Sequence, residues 1–169
     1  MDRRARYEFF AQQYSAYLPR VLNYVRLRTD DEALAQDLTA LTFERALTHI
    51  GTLRDKGAFG GWLFRIARNV VAGHYRRRRR EVPLEWAEDR PTPDPSAESG
   101  IVQSEELTAL RRVLSTLSER EQEIIRLRFV AGLTNRAIGK AMGLREGNVA
   151  VILYRAVRKI RVRLEDESE

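Results

Sequence analysis

The chain has 169 residues, of which 43% are hydrophobic and 32% charged, and its net charge is +6. That balance belongs to a folded, charge-rich protein and excludes a chain too polar to build a core. It contains no cysteine, which removes disulfides, thiolate metal sites and cysteine nucleophiles together and suits a reducing cytoplasm.

The N-terminus lacks the apolar core of a secretory signal, and no apolar run is long enough to cross a bilayer, so no membrane insertion is expected. The charge is unevenly spread: residues 1–80 carry +8, residues 81–103 carry −5 and residues 104–169 carry +3. Two basic blocks around an acidic bridge point to a polyanion with two points of contact, or to a solvated charged surface.

In the first block an aromatic-rich helix is expected over Tyr7 to Arg28, with Pro19 marking a kink or a break. Thr29-Asp30-Asp31-Glu32 has the form of a capping box, opening a second helix that runs to about Ile50 with Leu34, Leu38, Leu41, Phe43 and Leu47 on its apolar face. A loop, Gly51 to Gly57, follows. Phe59, Trp62, Leu63, Ile66, Ala67 and Val70 then recur at helical spacing, and that helix ends in five arginines, Arg76 to Arg80. Those arginines could hold phosphates or simply end a solvated helix in favour with its dipole.

Residues 81–103 hold four of the five prolines with Ser, Gly and acidic residues, the composition of an extended, mobile linker. The second block is again helical: Ser104 to Leu114; a helix capped by Ser118 and Glu121 that ends near Gly132; Thr134 to about Met142; and Glu146 to Leu164. Strand signals are absent. The fold class expected is therefore all-α, with two small helical domains, 1–80 and 104–169, joined by a flexible linker over 81–103.

The most specific local pattern is the helix-turn-helix from Asn135 to Tyr154. It needs a small residue where its two helices meet (Gly139), a glycine with positive φ in the turn (Gly143), and apolar residues at the corner (Ile138, Met142, Leu144, Val149, Ile152). Residues 126–163 also carry ten Lys/Arg against one acid, Glu146. With Val149, Ile152, Leu153, Ala156 and Ile160 inward, the outer face holds Arg145, Asn148, Ala150, Val151, Tyr154, Arg155, Arg158 and Lys159. The first two sit where a helix enters the major groove, and the later cations suit phosphates.

Phe59-Gly-Gly-Trp-Leu-Phe-Arg-Ile-Ala-Arg-Asn69 with its arginine tail resembles the promoter-melting helix of extracytoplasmic-function (ECF) sigma factors. Ala35-Gln36-Asp37-Leu38-Thr39-Ala40-Leu41-Thr42-Phe43 is similar to the polymerase-binding segment of that family. Leu117-Ser-Glu-Arg-Glu121 followed by the helix-turn-helix resembles its second domain. The three motifs stand in the family's order. The resemblance implies a sigma-two-like bundle and a sigma-four-like helix-turn-helix domain that bind core RNA polymerase and direct it to promoter DNA.

It further implies polymerase contacts at Asp37, Leu38, Thr42 and Phe43. Melted minus-ten DNA would be held by Lys56, Arg65, Arg68, Asn69, His74, Arg76 and Arg77, with a base pocket in the loop around Lys56. The minus-thirty-five duplex would be read by Arg136, Arg145, Asn148, Ala150, Val151, Tyr154, Arg155, Arg158 and Lys159. An anti-sigma partner is a family expectation, as is a cytoplasmic location, with no cofactor, no metal and no catalytic residue.

The sequence departs from the family at Gln36 and Ala40, where Glu and Gln are usual, at Gly73, and at Ala150, Val151 and Ile152, where polar and basic residues are common. The competing reading is a helix-turn-helix regulator with an N-terminal sensor or dimerisation domain. An enzyme is disfavoured because His49 and His74 have no metal-ligand spacing and no glycine-rich phosphate loop follows a strand.

Overall fold

The computed structural model describes residues 2–81 and 105–166, so the linker expectation over residues 82–103 lies outside the described residues. The described residues are helical, with no strand among them.

Helix α1, Arg3–Arg26, runs through Pro19 as one element rather than breaking there. A proline in a helix interior forfeits one hydrogen bond and costs about 3 kcal/mol. Here Phe10 on one side and Val21, Tyr24 and Val25 on the other are buried, and that burial holds the helix together across the defect.

Helix α2, Glu32–His49, is capped two residues after the Thr29 of the expected box. Asp31 is the cap, accepting from the Leu34 amide at 3.1 Å, while the Thr29 hydroxyl accepts from the Asp31 amide at 3.2 Å. Glu32 instead forms a fork with Arg26, its carboxylate 2.6 and 2.9 Å from two guanidinium nitrogens. The buried stripe of α2 keeps Leu38 and Phe43 of the expected face, with Leu34 and Leu41 packed at its margin. It adds Ala35, Thr39, Thr42 and Ala46, whereas Leu47 is exposed. Small residues let α2 approach α1 and α3 closely, and the Thr39 and Thr42 hydroxyls donate to the carbonyls of Ala35 and Leu38, both at 2.7 Å, so their burial leaves no unpaired polar atom.

After two short 3₁₀ turns, Ile50–Thr52 and Lys56–Ala58, helix α3 spans Phe59–Glu81. Phe59, Leu63, Phe64, Ala67, Val70 and Val71 are buried, with Trp62 and Ile66 at the margin of the core. Phe59 is edge-on to Phe9, Phe10 and Tyr17, and Phe64 to Tyr24 at 5.4 Å.

The second block holds α4, Glu105–Ser115; α5, Glu119–Ile125, prolonged by a π-turn over Arg126–Val130; α6, Asn135–Met142; and α7, Glu146–Asp166. The Ser118–Glu121 capping box forms with both reciprocal bonds, at 2.9 and 3.3 Å. Thr134 caps α6 through the Ala137 amide at 3.1 Å. Both glycines of the corner are required, for different reasons. Gly143 has φ of +69°, and a Cβ on Gly139 would lie 2.6 Å from the Leu144 carbonyl oxygen.

The two blocks are packed against each other. Helix α3 lies on α6, and α1 lies on the π-turn after α5. At the closest approach a Cβ on Gly60 would meet Leu133 at 3.2 Å and one on Gly61 would meet Ala137 at 3.5 Å. The seam also holds a polar cluster around Glu123, which is 5% exposed. The Tyr24 hydroxyl donates to it at 2.7 Å, Arg68 Nε lies at 2.8 Å, Arg28 at 3.0 Å and Arg126 at 3.4 Å. Nearby, Arg111 of α4 donates to the carbonyls of Arg26 and Thr29, closing the C-terminal end of α1.

Candidate nucleic-acid and polymerase interfaces

Helix α3 positions the first candidate surface. Its apolar side is fixed in the core, so the helical period turns Arg65, Asn69, Arg76 and Arg77 out to solvent. His74 is half-buried with its ring 5.4 Å from that of Tyr75. The Tyr75 hydroxyl donates to the Arg28 carbonyl at 2.6 Å and ties α3 to the turn before α2. Arg68 stands apart from its neighbours: besides Glu123 it reaches the Ala141 carbonyl at 2.8 Å and is committed to the seam.

The loop before α3 is shaped by Asp55, whose carboxylate accepts from the Gly57 amide at 2.9 Å. Lys56 is exposed, with its ammonium 5.1 Å from the centre of the Phe9 ring. Beside it opens a cavity of about 440 Å³ lined by Arg6, Gly51, Leu53, Arg54 and Lys56. Three cations around one apolar side chain suit an anionic ligand with a flat apolar part, the chemistry of a nucleotide. Arg6 and Arg54 were not among the expected site residues. Arg54 was legible as a neighbour of Lys56, but Arg6 reaches the loop only through the fold.

Helices α6 and α7 carry the second surface. Val149, Leu153 and Ala156 are buried and Ile152 and Ile160 partly so, as the corner pattern requires. Arg136, Arg145, Asn148, Ala150, Val151, Arg155 and Arg158 are exposed, and Tyr154 protrudes with 70% of its surface accessible. Lys159 is exposed too but bonds Glu121 at 2.6 Å, an ion pair that ties α7 to the start of α5. With the Ser118 amide it holds the Glu121 carboxyl below the usual carboxylate range, the Lys159 bond having the larger effect.

On α2, Asp37 is exposed, whereas Leu38, Thr42 and Phe43 are buried. Those three face the core in this arrangement and offer no surface to a partner. Their role here is to fix the helix that presents Asp37.

In the Glu123 cluster, burial first, then the adjacent Glu123, holds the Tyr24 hydroxyl far above its usual range, so it is a permanent donor. Burial pulls the Arg126 guanidinium down. Burial opposes charge on Arg28 as well, but Tyr24 and Glu123 more than offset it. Among the described residues no group of His, Asp and Glu could hold a metal ion, and no helix is long and apolar enough to cross a membrane.

Comparison with known proteins identifies the family of both helical blocks. The pattern of sigma-70 region 2 matches residues 13–81 and that of sigma-70 region 4 matches residues 113–162. The chain belongs to the sigma-70 family, in its ECF branch.

This sigma factor is 36% identical over 162 residues to the ECF RNA polymerase sigma factor BldN of Streptomyces coelicolor, spanning 94% of this chain and 61% of BldN. It is 27% identical over 148 residues to the ECF RNA polymerase sigma factor SigM of Bacillus subtilis, spanning 88% of this chain and 90% of SigM. Its fold is similar to that of the sigma factor RpoE crystallised with the anti-sigma factor NepR from Bartonella quintana, with a TM-score of 0.70, 22% identity, and 92% and 96% of the two chains covered. The region 2 match contains α2, the Lys56 loop and α3, and the region 4 match contains the whole helix-turn-helix.

Proposed function

We propose that this chain binds core RNA polymerase and directs promoter-specific initiation, with domain 1–80 taking melted minus-ten DNA, domain 104–169 reading the minus-thirty-five duplex, and residues 81–103 linking them. It performs no chemistry of its own and works in the cytoplasm on the polymerase's substrate DNA. The observation that carries this reading is the pairing of two exposed cationic surfaces on one small chain. One, on α3, combines Arg65, Asn69, Arg76 and Arg77 with the Lys56 cavity; the other is the outer face of α7. The first suits unstacked bases and a single-strand backbone, the second a major groove.

Within the second surface, Arg145 and Asn148 take base edges, while Arg136, Arg155, Arg158 and Lys159 take phosphates. Ala150 and Val151, the latter 46% exposed, offer apolar contact to thymine methyls where related factors present polar groups. Binding-site selection on the holoenzyme should return thymine opposite this helix; a site without it removes that assignment. Asp37 meets a basic residue on the polymerase, held in place by Leu38, Thr42 and Phe43 behind it. An anti-sigma partner is supported by the similarity to a sigma factor crystallised with one.

The test is reconstitution with core polymerase. The chain should yield promoter-specific transcripts with no other sigma factor present, and Asp37→Lys should abolish them while leaving minus-thirty-five duplex binding intact. Transcription that still requires a second sigma factor would favour the helix-turn-helix regulator.

A further inference from the structure

The cavity beside Lys56 draws one of its lining residues from outside the loop. Gly51, Leu53, Arg54 and Lys56 come from the segment between α2 and α3, whereas Arg6 comes from the first turns of α1. Arg6 also precedes residue 13, where the match to sigma-70 region 2 begins.

Packing fixes where Arg6 points. Phe9 and Phe10 follow it by three and four residues, so the three share one face of α1. Phe10 is buried, and both rings meet Phe59 edge-on, at 5.5 and 6.3 Å. These contacts anchor that face of α1 against the start of α3 and turn Arg6 onto the loop. There its guanidinium lies beside Gly51: a Cβ on that glycine would meet Arg6 Nη1 at 3.3 Å. Gly51 leaves open the space that the guanidinium uses.

The charges around the cavity are unbalanced. Its lining holds three cations and no carboxylate. The nearby acids are engaged elsewhere: Glu8 pairs with Arg4 at 2.9 Å, Asp2 accepts from the Arg3 amide and Asp55 from the Gly57 amide. Arg54 and Lys56 are exposed on the loop, whereas Arg6 is half-buried on a helix that the core already orders. A guanidinium held in this way loses little further freedom when an anion arrives.

We propose that Arg6 is a DNA contact: its guanidinium takes the phosphate of the nucleotide whose base enters the Lys56 cavity, which makes the first turns of α1 part of the minus-ten surface. The identity of the ligand rests on the sigma-factor reading; the placement of Arg6 does not. Arg6 supplies the fixed point for the strand, and the loop cations close around it.

A phosphate contact has a signature that a purely structural residue lacks, because each one on a single strand contributes about 0.7 to the salt dependence of binding. The probe is a fluorescent oligonucleotide carrying the non-template minus-ten segment of a promoter that the reconstituted holoenzyme transcribes. It is titrated with holoenzyme at several salt concentrations. Arg6→Ala should weaken binding about three- to fivefold and lower the slope of log affinity against log salt by about 0.7, whatever base occupies the cavity position. Arg6→Lys, which keeps the charge, should restore the slope. Arg4→Ala is the control: the same charge is lost about 200° around the helix, and both quantities should stay at the parent values.

Equal losses in Arg4→Ala and Arg6→Ala overturn the site in favour of a general positive field. A weakened Arg6→Ala with an unchanged slope, or with a loss that depends on the base, overturns the phosphate contact. Excess nucleoside monophosphate should not displace the oligonucleotide; displacement that Arg6→Ala abolishes reassigns the cavity to a free nucleotide and overturns the strand contact. Unchanged binding by Arg6→Ala in a holoenzyme that transcribes overturns the role of Arg6 and leaves the sigma-factor reading standing. Failure of the parent chain to form a transcribing holoenzyme overturns that reading and the DNA contact together.

Discussion

The two glycines of the helix-turn-helix fail for different reasons, and that difference can be measured. A methyl group on Gly139 would lie 2.6 Å from the Leu144 carbonyl oxygen, whereas a carbon–oxygen approach needs roughly 3.3 Å. About 0.7 Å must therefore be found by moving α6 away from the turn. That movement strains the Leu144 amide's bond to the Gly139 carbonyl, now 2.8 Å, which is worth about 1 kcal/mol. Overpacking of this kind costs a further 1–3 kcal/mol or so, and alanine returns about 1 kcal/mol in helix propensity.

The net for Gly139→Ala is about 1–3 kcal/mol, or roughly 3–9 °C in Tm for a chain of this size. At Gly143 nothing lies within 4 Å of the added atom. There only the left-handed backbone is penalised, so Gly143→Ala should cost about 1 kcal/mol and Gly143→Asn less. Urea unfolding of the three variants gives the order, and binding to a minus-thirty-five duplex gives the functional counterpart: Gly139→Ala should weaken it most because α7 is re-aimed. The reasoning is refuted if Gly139→Ala unfolds at the same urea midpoint as Gly143→Asn.

On α7, Arg158→Ala should weaken duplex binding evenly across sequences and lower the salt-dependence slope by about one, while Asn148→Ala should relax discrimination at one base pair by roughly 1–3 kcal/mol; competition binding at several salt concentrations separates them. Phe64→Ala, which empties a fully buried site beside the Tyr24 ring, should cost about 3–5 kcal/mol by chemical denaturation. The carboxyls of Glu32 and Glu121 are held below their usual 4.5, Glu32 chiefly by its bond from Arg26 and Glu121 chiefly by its bond from Lys159. The unfolded chain therefore binds more protons than the folded one near that pH. Their stabilisation is full above about 4.5 and is lost as pH falls through the lowered folded values. A Glu32→Gln/Glu121→Gln double variant should accordingly lose less stability than the parent on acidification, and an identical acid slope would count against both pairings.

Much of the fold was legible because its signals are local. Ser118 with Glu121, Thr134, Gly139 and Gly143 each act on neighbours within a few residues, and each does what its spacing demands. The misreadings were of two kinds. Local signals competed: Thr29 and Asp31 both could cap α2, and Asp31 does so because Glu32 is drawn back to Arg26. Tertiary packing also overrode propensity, carrying α1 through Pro19 without the break that was one of the two expectations there, and burying Ala35, Thr39 and Ala46 in place of Leu47.

The exposed face of α7 followed from the period of its buried residues, but the state of Arg68 could not. Its partner Glu123 lies in the other block, and Tyr24 meets that carboxylate across 99 positions of sequence. One of three glutamates in a short helix reads as a solvated charge until the fold places three arginines around it. Arg6 entered the Lys56 cavity by the same long-range route.

The central claim is that this chain opens promoter DNA while docked on polymerase. Permanganate reactivity of thymines on a promoter fragment tests it most directly. Core enzyme plus this chain should render minus-ten thymines reactive, with neither component sufficient alone and with reactivity lost in Asn69→Ala combined with Lys56→Ala. Full protection of those thymines in the presence of both components, with the chain bound to core, would contradict it.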